Sequence, residues 1–197
     1  MRLVLASRNP HKARELRVIV PSWEVEPLET EREPPPETGS TYAENARAKA
    51  RFGREVLTRD DVWVLGEDSG LEVEALEGAP GVLSARYSGE GATDEANLQK
   101  LLGELAGRAT DRQARYICEL VGIGPGNAEI RATGELRGTI AEAPSGSAGF
   151  GYDPVFVPEG EERTVAELGD AWKAEHSHRS QAARAFARAL EATSPLE

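Results

Sequence analysis

Sulfur is nearly absent from this chain: Cys118 is its one cysteine and Met1 its one methionine. A lone cysteine excludes an intrachain disulfide and points to a reducing cytoplasm. Cys118 itself sits in an apolar stretch, where a structural thiol is expected rather than a nucleophile. Long apolar runs are missing as well; none approaches the roughly 20 residues that span a bilayer. The N-terminal Arg2-Leu3-Val4-Leu5-Ala6 reads as a strand, too short for the apolar region of a signal peptide and followed by no small-residue cleavage site. Basic surplus is also lacking. The net charge is −11, which argues against duplex nucleic acid or an anionic membrane as the main partner. A small polyanion needs only a local basic cluster or a bound cation. With 39% apolar and 29% charged residues in 197, the composition suits one soluble globular domain over residues 1–197, with room for two lobes but not for two independent domains.

The chemistry is expected around Gly66-Glu67-Asp68-Ser69-Gly70. Two adjacent acids follow the apolar run Val62-Trp63-Val64-Leu65, which reads as a short buried strand. Side chains alternate along a strand, but at its end the rule relaxes and both acids can turn toward one cleft. Carboxylates beyond the C-terminal end of a strand are where α/β proteins hold metals and ligands. By themselves these residues also read as an acidic turn with a Ser-Gly corner.

The first strand runs into Ser7-Arg8-Asn9-Pro10-His11-Lys12. Asn9 suits an N-cap and Pro10 the first helical position, with Leu16, Ile19 and Val20 on one face. A lysine in a first helical turn opposes the helix dipole unless an anion docks there. The loop lacks the glycines of a Walker motif. A capped helix with an exposed lysine is the plainer alternative. Trp23 to Val25 suggests a second strand, and the acidic, proline-rich stretch from Glu29 to Glu37 an extended surface segment. Thr41 and Glu44 form a capping box for a helix from Tyr42 to Leu57 that carries Lys49.

Leu71 to Leu76 fits a strand or a short helix. Thr93 should cap a helix over Asp94 to Leu105 with Leu98, Leu101, Leu102 and Leu105 inward. Ala114 to Gly124 and Ala128 to Leu136 read as strands of a hairpin, with a third strand from Gly138 to Glu142, so the sheet should be mixed. Gly149-Phe150-Gly151-Tyr152-Asp153-Pro154 suits either a ring platform for a planar base, with Asp153 meeting polar edge atoms, or a glycine-rich hairpin whose Phe plugs the core. A short helix is expected over Thr164 to Leu168. Ser177 would cap a last helix to Leu190, which places His178 and Arg179 in a second cationic first turn. The last few residues read as a loose tail.

Ser7 to Lys12, Glu67 to Gly70, Gly149 to Pro154 and Ser177-His178-Arg179, in this order and spacing, resemble the inosine triphosphate pyrophosphatase family, also called the dITP/XTP pyrophosphatases. Thr38-Gly39, Glu44-Asn45-Ala46, Lys49-Ala50 and the stretch from Gly81 to Gly89 match too, so the likeness spans nearly the whole chain. It implies an α/β fold with an elongated mixed sheet flanked by helices, two lobes and a central cleft. It also implies a homodimer and Mg²⁺-dependent cleavage of non-standard purine nucleoside triphosphates between the α and β phosphates. By the same likeness Asp68 is the general base and a metal carboxylate. Glu37 and Glu67 are acids beside the metal. Ser7, Arg8, Asn9, Pro10, His11, Lys12, Lys49 and Ser69 lie on the phosphate side. Phe150, Gly151, Tyr152, Asp153, Lys173, His178 and Arg179 grip the base and nucleotide. Two departures stand out: Arg8 occupies a position where the family usually has Gly, and Glu67-Asp68 replaces an Asp-Asp pair. A Mg²⁺-dependent phosphatase acting on nucleotide or sugar monophosphates would use the same acids and lysines and is the alternative. A nucleotide-binding sensor without turnover would gain little from Asp68.

Overall fold

The computed structural model describes residues 2–107 and 111–193; the expected tail at 194–197 lies outside them. The elements are β1 (Arg2–Leu5), α1 (Pro10–Ile19), β2 (Glu24–Pro27), α2 (Tyr42–Val56), β3 (Trp63–Val73), α3 (Asp94–Leu105), β4 (Gln113–Ile123), β5 (Glu129–Ile140), β6 (Phe156–Pro158), α4 (Val165–His176) and α5 (His178–Thr193). The strands make a six-stranded sheet in the order β2-β1-β3-β4-β5-β6. β1 runs parallel to β2 and β3, with Leu3 opposite Val25 and Trp63. β5 and β6 are antiparallel, with Thr139 opposite Val157. The sheet is therefore mixed, as the helix-free run of strands implies.

The chain folds as two compact units. Of the described residues, the first holds 2–68, 118–134 and 179–193, and the second holds 69–107, 111–117 and 135–178.

In the first unit, Leu16 of α1, Val20 just after it, and Phe186 and Leu190 of α5 pack with Leu3, Leu5, Leu65 and Leu120 of the strands. Trp23 and Trp63 both meet the Phe186 ring edge-on, at 5.9 and 6.0 Å. Helix α2 makes a second contact through small residues, Ala46 and Ala50 against Val121 and Ile123. Gly66 is required there: a Cβ on it would lie 1.9 Å from the Ala46 carbonyl oxygen. Any side chain at 66 would push α2 off β3. The caps follow the sequence. The Asn9 side chain accepts from the His11 N–H, with Pro10 behind it. Thr41 and Glu44 close a reciprocal capping box, which satisfies helix-end N–H groups that would otherwise lack partners.

In the second unit, Leu98, Leu101 and Leu105 of α3 pack with Leu71, Val73, Ala114, Tyr116, Ile140, Tyr152, Val155, Phe156 and Val165. Thr93 caps α3 by accepting from the Ala96 N–H. The leucines of α3 are the inward positions that helical spacing singles out.

Three expectations need correction. β3 does not stop at Leu65; it continues through Glu67 and Asp68 to Val73, and only then turns into a short 3₁₀ segment, Glu74–Leu76. The two strands expected at 128–136 and 138–142 are one strand, β5. Gly138 lies inside it because the partner backbone of β6 comes so close that a Cβ would meet the Val157 carbonyl oxygen at 2.2 Å. The short helix expected at 164–168 extends to His176, with an interruption at Gly169 (φ 83°, ψ 177°).

Candidate active site

Glu67 and Asp68 lie inside β3, and alternation sends neighbouring side chains to opposite faces. Their partners bear this out. Odd-numbered Leu65 joins the core formed by α1 and α5, whereas even-numbered Gly66 abuts α2. Glu67 accordingly meets Lys12 of α1 at 3.0 Å and Arg179 of α5 at 3.2 Å. Asp68 meets α2, accepting from Asn45 Nδ2 at 3.1 Å and Lys49 Nζ at 2.9 Å. The expectation that both acids turn to one side is thus overturned.

Glu67 is fully buried. Burial opposes its charge, but the Arg179 guanidinium and the Lys12 and Lys49 ammonium groups hold the carboxyl far below the usual carboxylate range. Arg179 is itself buried, and its other nitrogen donates to Glu15 of α1. Burial works against the Arg179 charge too, and Glu67 and Glu15 more than offset it. The Cys118 thiol donates to Glu67 at 3.5 Å. Burial and the Glu67 charge push that thiol well up, so Cys118 is a protonated structural group and not a nucleophile. The lysine in the first turn of α1, which opposes the helix dipole, is answered here by an internal carboxylate.

On the α2 side, the Lys49 ammonium gathers three oxygens. They are Glu37 Oε1 at 2.5 Å, Asp68 Oδ1 at 2.9 Å and the Glu67 backbone carbonyl at 3.1 Å. Burial pulls Lys49 toward its neutral form, yet Asp68 and Glu37 keep it protonated beyond the ordinary range. Asp68 is shifted upward by burial, with Lys49 working against the shift. One strand therefore carries two adjacent acids of opposite character: Glu67 is locked as an anion, and Asp68 has a raised proton affinity.

Asn45 completes this side. Its amide nitrogen donates to Asp68, and its carbonyl oxygen accepts from the Gly39 N–H at 2.8 Å. It ties the segment that delivers Glu37 to the helix that delivers Lys49. The role of Asn45 was not read from the sequence, although a buried Asn among the alanines of α2 is a signal, since Asn disfavours helix interiors. Glu15 was missed in the same way, as one acid on a helix of mixed charge.

The remaining phosphate-side residues surround the α1 start. Asn9 N–H donates to Ser7 Oγ at 3.2 Å, and His11 N–H to Asn9 Oδ1 at 2.9 Å. Pro10 is exposed at N1, and His11 Nδ1 lies 3.3 Å from Arg14. Arg8, the residue at the family's usual Gly, is exposed and pairs with Glu33 of the acidic segment at 3.2 Å. Ser69 belongs to the second unit, half-buried on β3.

A Mg²⁺ ion takes oxygen ligands, keeps several waters and is held by one or two carboxylates plus substrate phosphates. Glu37 and Asp68 already converge on one cation, the Lys49 ammonium, so these two acids fit such an ion. Among the described residues, no three His, Cys, Asp or Glu side chains gather into a metal-holding group. Glu67 is on the other face of β3 with Lys12 and Arg179, and is not brought together with Glu37 and Asp68.

The second unit holds a separate polar centre around Asp153. Asp153 Oδ2 accepts from Lys173 Nζ at 2.6 Å and from the Phe150 N–H at 2.9 Å. Its Oδ1 faces the Tyr116 hydroxyl at 3.4 Å. Lys173 also lies over the Phe150 ring, 4.3 Å from its centroid, a cation–π contact. Phe150 is half-buried, so it is not the core plug that the glycines beside it would also permit. Gly149 is forced, with φ 79° and a would-be Cβ only 2.1 Å from Asp153 Oδ2. Gly151 N–H donates to Asp94 at 2.7 Å, and the Tyr152 hydroxyl to the Ser84 carbonyl at 2.9 Å. The loop carrying Phe150 is thus fixed from three sides. His178 is buried and stacks on Tyr116, with centroids 4.6 Å apart and planes 11° apart. Arg179, expected beside it in the base grip, instead belongs to the Glu67 centre of the first unit. The consecutive residues 178 and 179 serve different units.

The chain is 47% identical over 163 residues to the dITP/XTP pyrophosphatase of Bdellovibrio bacteriovorus, covering 82% of this chain and 81% of that one. It is 45% identical over 188 residues to the dITP/XTP pyrophosphatase of Gloeobacter violaceus, covering 92% and 90%. Among solved structures, the Staphylococcus aureus Ham1 protein superposes with a TM-score of 0.84 at 38% identity, covering 98% of this chain and all of that one. A HAM1 protein from Coxiella burnetii gives the same TM-score at 36% identity, with coverage of 98% and 100%. With the Ham1 family model matching residues 3–189, this chain belongs to the Ham1 family.

Proposed function

We propose that this protein hydrolyses non-standard purine nucleoside triphosphates (ITP, dITP and XTP) to the monophosphate and pyrophosphate, and so clears them from the nucleotide pool. The observation that carries the reading is the convergence of Glu37 and Asp68 on one cation, in a chain closely similar to proteins named dITP/XTP pyrophosphatases. Glu37 and Asp68 would hold Mg²⁺, which when bound supplies Lewis-acid polarisation of phosphoryl oxygens.

The chain's own groups do the rest. Asp68 takes the proton of the water that attacks the α-phosphorus. The bond from the α-phosphorus to the bridging oxygen breaks, and pyrophosphate leaves. Lys49 offsets negative charge growing on the leaving group, and Lys12 does the same from the start of α1. Ser7, Arg8, Asn9, Pro10, His11 and Ser69 line the phosphates. Glu67 keeps Lys12 and Arg179 in place. In the second unit, Phe150 supplies a flat face, and Gly151 and Tyr152 fix its loop. Asp153, Lys173 and His178 meet polar base edges. A buried donor aimed at a 6-oxo group rejects a 6-amino group, because an unpaired buried polar group costs about 1–3 kcal/mol.

The resemblance alone supports the homodimer, and the single cysteine supports a cytoplasmic location. No helix among the described residues is long and apolar enough to cross a membrane. The test of the activity is a panel of nucleoside triphosphates with Mg²⁺, scored for pyrophosphate. Release from ITP, dITP and XTP far above ATP and GTP is expected. Orthophosphate released from monophosphates, with no pyrophosphate from any triphosphate, would overturn the reading.

A further inference from the structure

Tyr116 of β4 has no role in the scheme above, yet it touches two groups assigned to the base. Its ring stacks on His178, nearly parallel at 11° and 4.6 Å. It also meets the Phe156 ring, tilted 45° at 4.5 Å. Its hydroxyl lies 3.4 Å from Asp153 Oδ1. Tyr116 is buried within an apolar cluster that includes Leu71, Ile140 and Val155.

A phenylalanine would fill the same space without bringing a hydroxyl into apolar surroundings, where an unsatisfied one is costly. The hydroxyl therefore calls for a reason, and Asp153 provides it. Oδ2 of that carboxylate is already taken by Lys173 and the Phe150 N–H. The terminal torsion of an Asp side chain is broad, and the hydroxyl facing Oδ1 adds a restraint on that torsion from the other edge of the same planar carboxylate. The 3.4 Å separation is long for a bond to a carboxylate, so the hydroxyl steers Asp153 more than it anchors it. The ring does the corresponding work for His178: a stacked neighbour on one face fixes the plane of the imidazole and therefore where its nitrogens point.

We propose that Tyr116 is a positioning residue for base recognition, its ring setting the plane of His178 and its hydroxyl the orientation of Asp153. It governs which purine is accepted and leaves phosphoryl transfer alone. The proposal rests on the function proposed above and deepens it.

The test uses the full-length protein with ITP and ATP in the presence of Mg²⁺, comparing Tyr116→Phe, Tyr116→Leu and Asp153→Asn by steady-state kinetics and thermal unfolding. Tyr116→Phe keeps the stack and the volume. It should fold normally, keep kcat for ITP within about twofold, and raise KM for ITP by about threefold, the low end of what one hydrogen bond contributes, as suits a long contact. The preference for ITP over ATP should fall by a similar factor. Tyr116→Leu should lose more of that preference, because the stack goes too. A Tyr116→Phe enzyme with unaltered KM and preference, or one whose whole loss is in kcat, overturns the proposal even if the Leu variant does not fold. Asp153→Asn separates the two levels. If it is impaired in ITP preference while both Tyr116 variants behave normally, only the role of Tyr116 falls. If Asp153→Asn itself leaves KM and preference unchanged, the base-site reading fails and this proposal with it.

Discussion

The polar centres of the two units are built on opposite plans. In the first, charge answers charge: Lys12, Lys49 and Arg179 interlock with Glu15, Glu37, Glu67 and Asp68. In the second, the buried ion pair of Lys173 with Asp153 has aromatic company: Lys173 lies over the Phe150 ring and Asp153 faces the Tyr116 hydroxyl, while the Tyr116 ring stacks on His178. The first plan suits a ligand of high charge and the chemistry performed on it. The second suits a flat, nearly neutral group recognised by its edges. A fixed charge lattice acts on the transition state, whereas a ring platform acts on binding, and the two should separate in kinetics.

The sharpest way to break that contrast is Asp68→Asn. It should lower kcat by about 10²–10⁴-fold, the range of general-base contributions, while nucleotide affinity stays within about tenfold. A near-normal rate would remove Asp68 from the mechanism. Next is Glu67→Gln, which leaves Arg179 and Lys12 without their shared carboxylate. Removing one partner from a buried ion pair costs about 3–5 kcal/mol, so thermal or denaturant unfolding of the metal-free protein should show a large loss. A variant as stable as the parent would show that the lattice contributes little. In the second unit, Phe150→Ala should raise KM for ITP by about tenfold, the scale of one aromatic contact, with little change in kcat. A collapse of the unfolding midpoint instead would return the ring to the core.

The smallest effect concerns alkaline pH. Burial, then the charges of Tyr87 and Asp94, push the Tyr152 phenol up from its usual value. The folded state then holds a proton that the unfolded chain releases near pH 10. Stability from this source is complete below about pH 10 and drains as pH rises toward the folded value. Tyr152→Phe loses its hydrogen bond to Ser84, so it should be less stable at neutral pH but lose less between pH 9 and 11. Parallel curves for the two proteins would deny Tyr152 any share in the alkaline loss.

Local signals were legible in the sequence. Asn9 with Pro10, Thr41 with Glu44, and Thr93 mark helix starts where the structure has them, because capping is settled within four residues. The extent of β3 was not legible. Charges at 67 and 68 look like the end of an apolar run, but the strand continues because one partner of Glu67, Arg179, arrives from 112 residues away. Nothing local announces that compensation. The same non-locality hid Glu15, Asn45 and Tyr116, whose importance lies entirely in what they touch. It also hid the pairing of Arg179 with Glu67, because Arg179 follows His178 in sequence while the chain passes there from one unit to the other.

The missing side chain at Gly66 has a consequence for variation. With the Ala46 carbonyl so near that not even a methyl group fits, strand and helix meet backbone to backbone, and the gap between Asp68 and Lys49 is set by main-chain geometry instead of by replaceable packing. Mutational drift or engineering can retune the reach of the Asp68 carboxylate only through the lengths of the side chains at 37, 49 and 68, never by shimming the two elements apart.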